Sequence, residues 1–109
     1  MKFKNVKELV KYHKDKTKKL YIEENKEYIT FSLIIVKNKK EGTLNEVLTH
    51  LIEYSKQNKK TIKLTVESTF GTSKSKLIKI YKKYNFIENK GSNYDASITE
   101  NMYRIWKTK

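Results

Sequence analysis

The chain has 109 residues, 37% hydrophobic and 34% charged; it is long enough for one domain over 1–109 that buries roughly two thirds of its unfolded surface, and its well-spaced apolar residues argue against disorder. It has no cysteine, which excludes disulfides, thiolate metal sites and a cysteine nucleophile, and its longest apolar run, 33–36, is too short for a membrane span or signal-peptide core, so a cytoplasmic protein is expected. The formal net charge of +13 predicts attraction to polyanions such as nucleic acid, an acidic protein or a phosphorylated cofactor, although a lysine-rich chain with Arg104 as its one arginine is also what an AT-rich genome imposes.

Asn5 can cap a short helix in which Val6, Leu9, Val10 and His13 recur at helical spacing. After a polar stretch over 14–19, strands are expected over 20–23 and 28–36, joined by a tight connection at 24–27. The second strand becomes apolar on both faces, which marks a central position in the sheet. Leu44, Val47, Leu48, Leu51 and Ile52 then fall on one face of a four-turn helix that ends near residues 58–60, with Thr43 and Glu46 spaced as a capping box. Ile62, Leu64 and Val66 alternate with polar residues in a strand over 61–67, so this part reads as a parallel βαβ unit. Ser73 or Thr72 can cap a helix that buries Leu77, Ile80, Tyr81 and Tyr84; a short strand that begins at Phe86 and Ile87, a polar loop at 90–95 and a last strand over 98–106 complete the pattern.

The densest chemistry lies where the second strand enters the turn Lys39-Lys40-Glu41-Gly42-Thr43 and then a helix. Unpaired N–H groups in a first helical turn and the positive end of the helix dipole favour an anion, and the lysines add charge. The loops at 39–43 and 67–73 both follow carboxyl ends of parallel strands, where ligands of such units gather. His13 and His50 read as packing or surface residues, each without a second ligand at metal spacing, so no metal is expected. Asp95 is a weak candidate for orienting an amine, and Trp106 a core or interface anchor.

In order, these segments resemble the GNAT superfamily of acyl-CoA-dependent N-acyltransferases over roughly residues 28–106. Lys39-Lys40-Glu41-Gly42-Thr43-Leu44 occupies the family's Arg/Gln-x-x-Gly-x-Gly/Ala turn, and Tyr81-Lys82-Lys83-Tyr84-Asn85-Phe86 its Tyr-x-x-x-Gly-Phe segment. The phrase from Gly71 to Lys79 is similar to small acetyltransferases encoded by bacteriophages. Lys39, Leu44 and Asn85 depart from the family pattern; Asn tolerates a left-handed backbone, whereas Leu44 stands where a small residue lets the cofactor approach.

The resemblance implies a mixed α/β (α+β) fold: a mostly antiparallel sheet with a central parallel βαβ unit, about three helices and a shortened N-terminal part. It implies acetyl-CoA as cofactor, with its pyrophosphate at Lys39, Lys40, Gly42 and Thr43, its pantetheine arm along Ile34, Ile35 and Val36 as an added strand, and Ser73 and Lys76 at the next helix start. Tyr81 would be the general acid for the CoA thiolate, and Glu67 the base for a primary amine acceptor, directly or through water. On this reading the chain is a monomeric or homodimeric acetyltransferase of phage or mobile-element type that needs no metal or membrane. Two alternatives stay open: a catalytically idle module of the same fold whose basic surface binds nucleic acid or a host protein, and an unrelated nucleic-acid-binding domain with Tyr21, Tyr28, Tyr94 and Tyr103 as stacking platforms.

Overall fold

A computed structural model describes residues 2–38, 41–66 and 73–108. Within them the chain is a mixed α/β fold of three α-helices and one five-stranded sheet. The elements in order are α1 (Val6–Tyr12), β1 (Thr17–Glu24), β2 (Tyr28–Val36), α2 (Thr43–Asn58), β3 (Thr61–Leu64), α3 (Lys74–Lys83), β4 (Ile87–Glu88) and β5 (Met102–Arg104), with single 3-10 turns at Lys14–Lys16 and Gly91–Asn93. The sheet order is β1-β2-β3-β5-β4. Only β2 and β3 run parallel; the other neighbours are antiparallel.

Local chemistry explains most of these boundaries. Asn5 caps α1 by accepting from the Glu8 N–H at 2.9 Å, and Ser73 caps α3 by accepting from the Lys76 N–H at 3.3 Å. Along β2, Ile29 and Phe31 are buried and face α2 and α3 residues in one apolar core that also takes in Leu9, Leu20, Val47, Leu51, Ile62, Leu64, Leu77 and Phe86. Glu24 ties the base of this core together. Its carboxylate accepts from the Tyr54 hydroxyl, the Lys60 ammonium and the Val6 N–H, joining β1, α2, the approach to β3, and α1.

Three strands differ most from the sequence expectation. Strand β1 starts at Thr17 rather than Leu20, because Thr17 and Lys19 pair with Val36 and Ile35; β1 ends the described sheet order, where lysines suit an exposed edge. Strand β3 stops at Leu64 rather than running to 67, since the Val66 N–H turns to Asn101 Oδ1 at 2.9 Å. The last strand is only Met102–Arg104, because residues 95–100 wrap around Asn89, whose amide nitrogen reaches the carbonyls of Asp95, Ile98 and Glu100.

Candidate functional site

Strand β2 is paired along its two edges over different lengths. On the β1 side pairing runs to Val36 and is extended by the Lys37 N–H to the Lys16 carbonyl at 3.0 Å. On the β3 side the register is Tyr28↔Thr61 to Phe31↔Leu64 and goes no further. Two features open this gap. Between the pairs Ile22↔Phe31 and Tyr21↔Leu33, Ser32 is an extra residue on β2, a bulge that bends the strand where it parts from β3. Asn101 meanwhile draws the Val66 N–H toward β5. Among the described residues, positions 32–36 therefore present a strand edge with no strand beside it.

The opening is a narrow slot lined by Phe31, Ser32, Leu33, Ile34, Thr65, Val66, Leu77 and Tyr81, enclosing about 40 Å³, room for one or two water molecules. Anything larger must lie along the strand edge rather than inside. Ile34 lines the slot; Ile35 and Val36 continue the same strand and are half-buried.

Tyr81 forms one wall. It is 6% exposed, packs edge-on to Phe31 with ring centres 6.5 Å apart, and has its pKa pushed up to about 12 by burial. Its position is set by the end of α3. The Phe86 N–H bonds to the Tyr81 carbonyl at 3.1 Å and the Asn85 N–H to the Lys82 carbonyl at 3.0 Å, while Asn85 sits at φ +68°. These are the two bonds and the left-handed residue of a Schellman cap, completed by the Tyr81–Phe86 ring contact at 5.7 Å. The motif singled out in sequence is thus a helix stop that holds Tyr81 in the slot.

Beyond β2, Gly42 precedes α2 at φ +69°, ψ +26°, and among the described residues no side chain caps this helix. The capping box expected from Thr43 and Glu46 does not form: Thr43 is already the first helical residue, and Glu46 turns to His13 and Lys16 instead. The Thr43 hydroxyl is buried without a hydrogen-bond partner among the described residues. Leu44 packs its side chain against the core, and a Cβ built on Gly42 would meet nothing within 4 Å. Leu44 stays half-buried on this core-facing side. Tyr84 donates to Asn45 Oδ1 at 2.9 Å, tying the last turn of α3 to the first of α2.

The other expected site residues separate. Lys39, Lys40 and Glu67 lie outside the described residues. The Ser73 hydroxyl and the Lys76 N–H are engaged with each other as the α3 cap. Asp95 is taken up by the N–H and hydroxyl of Ser97, which hold its pKa low. Of the four tyrosines, Tyr28 and Tyr103 share one sheet face through the register Thr30↔Lys63↔Tyr103, with Lys63 over the Tyr28 ring and the buried Tyr103 donating its hydroxyl to the Asn93 carbonyl; Tyr21 and Tyr94 are exposed.

Sequence reading missed Ser32 and Asn101. A bulge leaves no mark in an unbroken β-branched run, and Asn101 acts through a contact 35 positions away. It also treated His13 and His50 separately, whereas their ring nitrogens lie 2.8 Å apart. Among the described residues no helix is long and apolar enough to cross a membrane. Compared with protein-family models, curated proteins and solved structures, the chain matches none of them.

Proposed function

We propose that the chain is an acyl-CoA-dependent N-acyltransferase of GNAT type that moves an acetyl group to a primary amine. The observation that carries this reading is the strand edge at 32–36, left open by the Ser32 bulge and flanked by Tyr81. Such an edge takes an extended, amide-bearing chain as an added strand, and a pantetheine arm has that shape and those amides. The same strand leads toward the start of α2, which no side chain among the described residues caps and where the buried Thr43 hydroxyl has no partner among them; a first helical turn of this kind suits a pyrophosphate. The order of strand, turn, helix, strand, helix, strand and strand supports the resemblance.

Bound acetyl-CoA would supply an activated acyl thioester. Around it, the backbone of residues 32–36 would orient the arm, the α2 start with Lys39 and Lys40 would neutralise phosphate charge, and Tyr81 would donate a proton or hydrogen bond to the departing sulfur. A phenol at about 12 facing a thiolate of ordinary pKa about 8.5 makes full proton transfer uphill by about 4.8 kcal/mol. The burial that raises Tyr81 also raises a thiolate in the same slot, which narrows this gap. An acceptor lysine must first lose a proton at a cost of about 4.6 kcal/mol at pH 7; the positive surroundings lower that cost, and Glu67 is the proposed base.

The test is calorimetric titration with acetyl-CoA and CoA, followed by a survey of amine acceptors. Saturable cofactor binding and acetyl transfer are expected; no binding at millimolar cofactor sinks the reading.

A second reading rests on a different surface. Lys7, Lys11, Lys14, Lys18 and Lys19 line a groove between α1 and β1 beside exposed Tyr21, suited to a polyanion. A binding module for nucleic acid would show affinity falling steeply with salt, and no cofactor binding.

A further inference from the structure

Away from the slot, α1 and α2 bring together three side chains with metal-binding chemistry. Glu46 and His50 lie at i and i+4 on α2, so they share a helix face, and His13 is the C-terminal cap residue of α1. One ligand atom from each of the three falls within 4.8 Å of the others. His13 Nε2 lies 2.8 Å from His50 Nδ1, and His13 Nδ1 lies 3.9 Å from Glu46 Oε1.

His13 and Glu46 approach each other without a hydrogen bond. A neutral imidazole has one N–H and one lone pair. If His13 carries its proton on Nε2 and gives it to His50, a bare lone pair faces the Glu46 carboxylate. If the proton is on Nδ1, it stops at 3.9 Å, beyond hydrogen-bonding range. In both tautomers Nδ1 lacks a hydrogen bond to Glu46, on a ring that is 2% exposed.

A divalent ion resolves the mismatch. Ligand atoms held at about 2.1 Å in tetrahedral geometry are about 3.4 Å apart; one atom from each side chain, with a single His13 nitrogen, already lies within 4.8 Å of the others, so small side-chain shifts would bring them around one ion. His13 is fixed by backbone bonds at its N–H and carbonyl. Phe3 and Tyr12 stand edge-on to the His50 ring at 5.5 and 5.4 Å. Glu46, with its side chain 37% exposed, and half-buried His50 can make the remaining adjustment.

We infer that His13, Glu46 and His50 form a site for one Zn²⁺ ion that clamps α1 to α2. Two imidazoles and a carboxylate suit this borderline ion and leave a fourth position for water on the exposed side of Glu46. Lys16, 3.7 Å from the second Glu46 oxygen, steadies the carboxylate and, with the net charge, tempers affinity. The inference is independent of the acyl-transfer reading.

The test is calorimetric titration of the tag-free chain with ZnCl₂, alongside Co²⁺ absorption spectra and thermal melts. Expected are one Zn²⁺ per chain, a raised melting temperature, four-coordinate Co²⁺ bands displaced by Zn²⁺, and at least roughly tenfold weaker binding in both His50→Gln and Glu46→Gln. Circular dichroism of the metal-free variants checks that they fold; should either fail, Glu46→Asp, which keeps the charge but shortens the reach, is read in its place. Absence of Zn²⁺ binding by the parent chain, or equal affinity in the variants, overturns the site.

Discussion

At the residue scale the account turns on Tyr81 and Asn85. With its hydroxyl at about 12, Tyr81 is protonated throughout the physiological range, as a donor to sulfur must be. Tyr81→Phe keeps the ring contacts with Phe31 and Phe86 and removes only the donor; turnover is expected to fall at least roughly tenfold with CoA affinity unchanged, read as a kcat loss without a KM change. Asn85 occupies a left-handed position that a Cβ-bearing residue without a local polar partner resists. Asn85→Ala should lower stability by about 1 kcal/mol, while Asn85→Gly stays within about 0.5 kcal/mol of the parent, as urea midpoints would report. That this asparagine could stand for glycine was legible in sequence, because the requirement is local. The packing of Leu44 against the core was not, since only the fold decides where its side chain goes.

At the scale of elements, periodicity located the three helices and β2 well, and failed where backbone partners come from far along the chain. The lysine-rich start of β1 has no apolar pattern; it is a strand because β2 offers it a partner. The end of β3 alternates as a strand should, yet Val66 gives its N–H to Asn101, and that deviation creates the slot. Glu24 shows the same non-local logic. Burial alone would raise its pKa, but hydrogen bonds from Lys60, Tyr54 and Val6 outweigh this and lower it. Because the folded value lies below the unfolded one near 4.5, its stabilisation is complete above that pH. It is lost as pH falls from there through the folded value. Glu24→Gln should cost about 2 kcal/mol at pH 7 and flatten the acid limb of the stability–pH profile measured by urea unfolding.

For the whole molecule, fold class and candidate site were legible to different depths. The mixed sheet with one parallel pair follows from the βαβ pattern and appears at β2 and β3. The net charge of +13 named no surface by itself; the fold gathers five lysines into the groove of α1 and β1 and leaves the apolar slot on another edge. The two proposed surfaces are separate, so one experiment can tell them apart. Titrating ¹⁵N-labelled protein with acetyl-CoA should shift the amide resonances of residues 32–36 and 42–45, in saturable fashion and with the lysine groove unaffected. Resonances that stay fixed at millimolar acetyl-CoA, or that move only along the groove, would contradict the claim that this open strand edge holds an acyl-CoA.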